Sequence, residues 1–264
     1  MKKIKLYIVS YNNYNDLNNN LESLFNSDWF DNNLEINIIN NHSNFSLDHK
    51  YINKVKILHN LLRPDWSTGH LARNWNQAII NGFKDLNNPD CDIVICCQDD
   101  TLFDINWLPN LLKFHEKYDF IQMGIGDNFC SYGISAIKTI GLWDERFCTI
   151  QLGEADYFLR ALIYNKEKTC LNDYQHGRLI NNIDHSFITR PKPAHIFSID
   201  HRSSMKFFHI NEKVFKMKWG DTPYNYWDAK TLNNPPQNSL IFNFITYPYF
   251  EKDIDNLQNK GYIF

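Results

Sequence analysis

Residues 91–100 read Cys91-Asp92-Ile93-Val94-Ile95-Cys96-Cys97-Gln98-Asp99-Asp100. Ile93 to Cys97 form an unbroken apolar run, without the alternation of a half-exposed strand, and this predicts a strand buried on both faces of a parallel sheet. Two adjacent carboxylates end it. In open α/β sheets the carboxyl ends of the strands are where ligands bind. Paired hard oxygen ligands suit Mg²⁺ or Mn²⁺, which is commonly shared with substrate phosphates. The same residues also read as an Asp-rich turn before a helix, with Asp100 capping toward Trp107-Leu108. The dipeptide by itself leaves both readings open.

The flanking segments supply the rest of such a sheet. Leu6-Tyr7-Ile8-Val9 predicts a first buried strand that ends in Ser10-Tyr11-Asn12-Asn13. Asp16 is placed to cap a helix through about Phe25, whose Leu17, Leu21, Leu24 and Phe25 follow helical spacing. Leu34 to Ile39 predicts a second strand, ending in Asn40-Asn41-His42-Ser43-Asn44, and Val55 to Leu58 a third, ending in His59-Asn60. A helix from about Gly69 through Phe83 carries Leu71, Trp75, Ala78, Ile79 and Ile80 and leads to the strand at 91–97. This alternation predicts βαβ units and a mostly parallel sheet flanked by helices.

Beyond it, the pattern predicts a helix over Trp107–Tyr118 and a strand over Phe120–Met123. A strand and short helix follow within Ser131–Gly141, then a helix over Glu154–Tyr164. After about residue 170 the pattern loosens, interrupted by Pro191, Pro193, Pro223, Pro235, Pro236 and Pro248. No internal repeat is visible.

Composition narrows the class. The 264 residues are 43% hydrophobic and 15% aromatic, which supplies a globular core. A formal net charge of −3 lacks the basic excess of a nucleic-acid binder. The 35 asparagines reflect an AT-rich genome, and the abundant aromatics argue against disorder. The six cysteines (Cys91, Cys96, Cys97, Cys130, Cys148 and Cys170) form no CxxC pair, and Cys96 and Cys97 read as core residues in a reduced compartment. The opening apolar run is too short for a signal peptide, and no stretch approaches the roughly 20 apolar residues of a transmembrane helix. A cytoplasmic location is the expectation; oligomeric state is not legible.

The ordered motifs resemble those of the metal-dependent GT-A-fold glycosyltransferases, in particular the inverting family-2 type. Tyr7-Ile8-Val9-Ser10-Tyr11-Asn12 is similar to that family's opening strand, whose end contacts the nucleotide. Ile38-Ile39-Asn40-Asn41-His42-Ser43 resembles its second-strand motif, with Asn40 in place of an Asp that often meets the base. Gly69-His70-Leu71-Ala72-Arg73-Asn74 is similar to its Gly-x-x-x-Arg-Asn helix start. Gln98-Asp99-Asp100 fits its Asp-x-Asp metal motif with the first acid replaced. The resemblance makes Asp100 the direct metal ligand, and Asp99 a residue that faces the ribose or assists the metal. Gly141-Leu142-Trp143-Asp144-Glu145-Arg146-Phe147 and Gly153-Glu154-Ala155-Asp156-Tyr157-Phe158-Leu159-Arg160 resemble the family's Gly-Phe-Asp-Glu and Glu-Asp-x-Asp-x-x-x-Arg block. Aligned on Arg160, Glu154 takes the catalytic position and Asp156 lies two residues on. His201-Arg202-Ser203-Ser204 and Lys218-Trp219-Gly220 match two downstream patterns, and His201 is then a further metal ligand, with His185 and His195 as rivals.

The resemblance implies transfer of a sugar from a nucleotide-diphosphate donor, a UDP-sugar, to a hydroxyl of a glycan or other acceptor, with inversion. Ser10, Tyr11, Asn40, Asn74 and Asp99 would bind the nucleotide. Asp100 and His201 would hold Mn²⁺ or Mg²⁺, and Glu154 would be the catalytic base, with Asp156 next in line for that role. Trp143 and Trp219 would contact sugar or acceptor. Residues 1–118 are then the nucleotide-sugar half and 119–225 the acceptor and catalytic half of one domain, with 226–264 a tail packing on the core. The chemistry suits these residue types, because a divalent cation neutralises charge on a leaving diphosphate and a carboxylate can deprotonate an acceptor hydroxyl.

Each assignment has an alternative. Glu154 and Asp156 also read as first-turn acids stabilised by the helix dipole. Arg160 also reads as their structural partner, Asn74 as a cap, and Trp143 and Trp219 as core. At the level of the whole chain, the alternative is a catalytically degenerate nucleotide- or sugar-binding protein of the same fold, suggested by Gln98 and Asn40. A nucleotidyltransferase is disfavoured, since Ser10 to Asn15 contain no glycine.

Overall fold

The apolar run at 93–97 lacks alternation because both of its faces are covered. In the computed structural model, which describes residues 1–29, 33–60, 71–147, 152–173, 178–180, 187–189 and 211–220, four strands of the first half run parallel. They are β1 (Lys3–Ser10), β2 (Asn33–Asn40), β3 (Lys56–His59) and β4 (Ile93–Gln98). Helices α1 (Tyr14–Phe25), α2 (His49–Ile52) and α3 (Leu71–Phe83) lie between them in sequence. Ile4, Leu6 and Ile8 of β1 and Ile93, Ile95 and Cys97 of β4 pack in one cluster with the Leu17, Leu21 and Leu24 stripe of α1. Tyr7, Val9, Val94 and Cys96 pack on the other face with Trp75, Ala78 and Ile79 of α3. Each such large apolar side chain contributes about 1.5–3 kcal/mol by leaving water. Contact on the α3 face is close: a methyl on Gly82 would run into Val94 Cγ2.

The second half continues the same sheet. It adds β5 (Leu102–Phe103), α4 (Trp107–Phe114), β6 (Phe120–Met123), β7 (Phe129–Gly133), α5 (Ile134–Ile140), α6 (Gly153–Tyr164), β8 (Thr169–Asp173), β9 (Arg178–Ile180) and β10 (Ile188–Thr189), and a helix α7 over residues 211–219. The eight-stranded order is β3-β2-β1-β4-β7-β6-β8-β9. Four neighbouring pairs are parallel, while β7 runs antiparallel to both β4 and β6, and β9 to β8. β5 and β10 form a separate antiparallel ribbon. The expected architecture, a mostly parallel sheet flanked by helices, is what forms.

Details differ from the sequence reading for local reasons. Asn13 rather than Asp16 precedes α1, and Asp16 sits in the first turn, where its Oδ2 accepts from Asn13 Nδ2 at 3.1 Å. The helix expected to reach Tyr118 stops at Phe114, because the His115 ring turns back to bond Tyr118 O at 3.1 Å and Ser131 Oγ at 2.7 Å. Each strand of the β5–β10 ribbon has two residues, too few for a periodic signal. Gly69, His70 and Cys148 lie outside the described residues, as does 226–264. No helix among the described residues is long and apolar enough to cross a membrane.

Candidate active site

The carboxyl ends of β1, β2 and β4 lie side by side, and Asp99 and Asp100 follow directly from β4. Asp99 N donates to Val9 O at 3.1 Å and Asn41 N to Ser10 O at 3.0 Å, so the ladder extends past the strand ends. Both aspartates are nearly buried, at 6% and 5% exposed. Asn13 Nδ2 reaches Asp99 Oδ1 at 3.4 Å, whereas the buried Asp99 Oδ2 has no hydrogen bond among the described residues. Burial and the neighbouring Asp100 charge push the Asp99 carboxyl up to about 8. A crowded carboxylate pair with an unfilled oxygen is a donor set that a divalent cation would relieve. No cluster of three or more His, Cys, Asp or Glu able to hold a metal occurs among the described residues, which do not include His185, His195 or His201. Asp100 also lines a groove of about 340 Å³ beside α1, with Asp16, Glu22, Ser23 and Leu102.

The turn from β6 to β7, residues 124–128, grips this motif from the opposite side. Asn128 Nδ2 donates to Asp100 Oδ1 at 3.3 Å, and Gln98 N to Asn128 O at 3.0 Å. Asp127 accepts from Gln98 Nε2 at 2.9 Å and from Trp75 Nε1 at 2.8 Å. An acid at position 98 would face the Asp127 carboxylate, and the amide there makes a hydrogen bond instead. Gly126 has φ +57°, and a methyl built on it would meet Glu154 Cγ at 3.9 Å. One five-residue turn therefore bonds Asp100 through Asn128 and leaves room for little more than a methyl between Gly126 and Glu154. Glu154 lies in the first turn of α6, where the helix dipole favours an anion.

Asp156, two residues on, is wholly buried. Its Oδ2 accepts from Arg160 Nε at 3.1 Å, and its Oδ1 from Trp219 Nε1 at 2.9 Å with Lys218 Nζ at 2.5 Å. Lys218 also reaches Asp144 Oδ2 at 3.3 Å, and Arg146 forks onto the same carboxylate. Burial opposes ionisation of Asp144, yet Lys218 and Arg146 outweigh it and hold its carboxyl well below the usual range. The Gly141–Phe147 loop that carries Asp144 is fastened to α3. Asn76 Nδ2 donates to Trp143 O at 2.9 Å and Glu145 Oε1 at 2.8 Å, and Arg73 Nε to Glu145 Oε2 at 3.2 Å.

Trp143 and Trp219 are each 1% exposed. Trp143 stacks on Tyr157 at 4.4 Å and donates to Tyr132 Oη at 2.9 Å, while Trp219 packs with Phe147, Leu152, Ala155, Leu159 and Phe215. This corrects the expectation that they present a face to a sugar, since the core occupies those faces. Asn40, expected at the base, has every hydrogen-bonding position engaged. Its Nδ2 faces His42 O at 2.7 Å and His59 Nδ1 at 3.1 Å, and its Oδ1 takes His42 N at 3.3 Å and Tyr14 Oη at 3.5 Å. It organises the loop after β2. Tyr11, partly exposed, lies edge-on to His42 with centroids 5.3 Å apart. Asn74 is buried and its Oδ1 faces Asn60 Nδ2 at 3.4 Å. His201, His185 and His195 lie outside the described residues.

The family model described as "Glycosyl transferase family 2" matches residues 6–148, which is more than half of the chain. The chain belongs to glycosyl transferase family 2. Its sheet and flanking helices are the GT-A fold of that family. A crystal structure of residues 1–349 of S. aureus TarS aligns over 98% of this chain and 75% of that one, at 12% identity and a TM-score of 0.52. A second TarS structure aligns over 84% of this chain but 41% of its own length, at 12% identity and TM-score 0.47. TarS 1–349 in complex with UDP-GlcNAc aligns over 79% and 64%, at 15% identity and TM-score 0.49. At these identities the likeness is one of fold, and the chain spans well under half of the longer TarS chain. No curated protein matches the sequence.

Within this family-2 chain, sequence reasoning missed Asp127, Asn128 and the role of Lys218. The paired glycines of Gly124-Ile125-Gly126 were the available signal, since they mark a turn immediately after a strand. Lys218 stood in a quoted motif, but nothing local reveals that its partners lie on α6 and the Gly141–Phe147 loop.

Proposed function

We propose that this family-2 protein transfers a sugar from a UDP-sugar to a hydroxyl of a glycan or other acceptor, with inversion and with Mn²⁺ or Mg²⁺. The observation that carries the reading is the turn 124–128, where Asn128 bonds Asp100 and a methyl on Gly126 would come within 3.9 Å of Glu154 Cγ. Asp100 would hold the cation, with His201 as a further ligand and Asp99 assisting it or meeting the ribose. Ser10, Tyr11 and Asn74 sit at the nucleotide end. The bound cation supplies neutralisation of the charge that develops on the diphosphate.

Glu154 is the general base in this reading. The acceptor oxygen attacks the anomeric carbon from the face opposite the diphosphate, and Glu154 takes its proton. The anomeric C–O bond breaks, and the diphosphate leaves with the electron pair. Such a base is worth about 10²–10⁴-fold in rate. Asp156 has both oxygens engaged, and its part is to anchor α6 rather than to touch the acceptor. Residues 1–118 would carry the donor and 119–225 the acceptor. The degenerate-site alternative drew on Gln98 and Asn40, and both have hydrogen-bonding reasons of their own, which weighs against it.

A thermal-shift screen of nucleotides and nucleotide-sugars with and without Mn²⁺ tests the donor, starting with UDP-GlcNAc. A ligand at 100 times its Kd adds about 2.7 kcal/mol. Metal-independent binding of every nucleotide would count against Asp100 as a ligand. Glu154→Gln should bind donor normally and lose transfer; wild-type turnover in it would remove Glu154 from the mechanism.

A further inference from the structure

We infer that Lys218 and Trp219 are positioning residues for Glu154: α7 clamps the first turn of α6 through Asp156 and so fixes the base. The inference rests on the reading of Glu154 as base. Lys218 is 1% exposed, and a lysine is rarely buried unless paired. Its ammonium joins two carboxylates from separate segments, Asp156 in α6 and Asp144 in the loop that α3 fastens. Trp219 adds a neutral donor to the same Asp156 oxygen, and its indole fills the cluster of Phe147, Leu152, Ala155 and Leu159. These residues surround the α6 N-terminus, where Gly153 packs against Phe147 and Leu152 holds a left-handed backbone, φ +68°.

The consequence for the base is geometric. Asp156 and Glu154 share one helical turn, so a shift of the Asp156 carboxylate carries Glu154 with it. A misplacement of about 1 Å at a reacting group costs on the order of 10²-fold in rate. Burial pulls Lys218 down to about 8 against the raising pull of Asp156 and Asp144, which leaves it charged at neutral pH. Lys218 and Trp219 both lie beyond residue 148, where the family match ends, while Asp144 and Phe147, which receive them, lie within it.

The test uses Trp219→Phe, which removes one N–H and keeps an aromatic ring, and Lys218→Met, which removes the shared cation. Amide hydrogen exchange of residues 141–147 and 153–157 is compared with that of 93–98. Exchange in the first turn of α6 should rise at least tenfold in both variants while β4 is unchanged. UDP affinity in Mn²⁺ should stay within twofold, and UDP release from UDP-GlcNAc should fall at least tenfold at unchanged KM. Unchanged exchange at 153–157, an equal rise in β4, or full turnover would each overturn the clamp. Glu154→Gln, run in parallel, separates the two claims. An active Glu154→Gln overturns the base; an inactive one beside fully active Trp219→Phe and Lys218→Met overturns the clamp alone.

Discussion

Asn128 Nδ2 donates to Asp100 Oδ1 at 3.3 Å, while Asn128 O accepts from the backbone of Gln98, so one residue fixes both ends of the acidic motif. Partners that orient a ligating carboxylate typically account for 10–100-fold in metal affinity. Asn128→Ala should therefore weaken Mn²⁺-dependent UDP binding by about tenfold or more, read by calorimetry, with little change in metal-free binding. Equal affinity in both proteins would remove Asn128 from the site.

Gly126 at φ +57° faces Glu154. A β-branched residue there is strained by roughly 1–2 kcal/mol and crowds the base. Gly126→Val should lower the urea midpoint modestly and reduce turnover far more than donor binding. A variant that loses stability but keeps full turnover would show that Glu154 tolerates the intrusion.

Placing an acid at position 40 should harm this chain. Asn40→Asp loses the two donors that face His42 O and His59 Nδ1. Asn40 itself is buried, and a carboxylate set against His42 O in its place costs about 1–3 kcal/mol. Chemical denaturation reads this directly, and an Asn40→Asp protein as stable as the parent would contradict the hydrogen-bond pattern.

His115 gives a pH dependence. Burial pushes its imidazolium down to about 4 from an ordinary 6.5. The unfolded chain therefore takes up a proton first, and stability falls as pH drops from about 6.5 toward 4, by on the order of 2 kcal/mol. His115→Gln should flatten that part of the curve. An unchanged slope would place the acid sensitivity elsewhere.

The parallel half was legible because its strands are covered on both faces. Ile93 to Cys97 announce this by lacking alternation, and the acidic end of β4 stands out for the same reason. The partners of that end were not legible. Asp127 and Asn128 meet Gln98 and Asp100 only because β7 runs backwards beside β4, and nothing near them in sequence encodes that pairing. Asp156 has the residue type and spacing of a catalytic acid; Arg160, one turn on, takes one oxygen, and only the arrival of α7 shows that the other is spoken for. Trp143 likewise looks like a sugar platform until Tyr157 is seen stacked on it.

The eight strands run as one ladder from β3 to β9, with β4 and β7 zipped together midway. The strands before and after residue 118 thus share a single floor. They cannot part like the shells of a clam without tearing backbone hydrogen bonds between residues 93–97 and 129–133. For the proposed transfer, this leaves donor entry and product exit to the connections at the strand ends rather than to a hinge across the sheet. Changing what this scaffold accepts is then a matter of rewriting those connections, with the floor left alone.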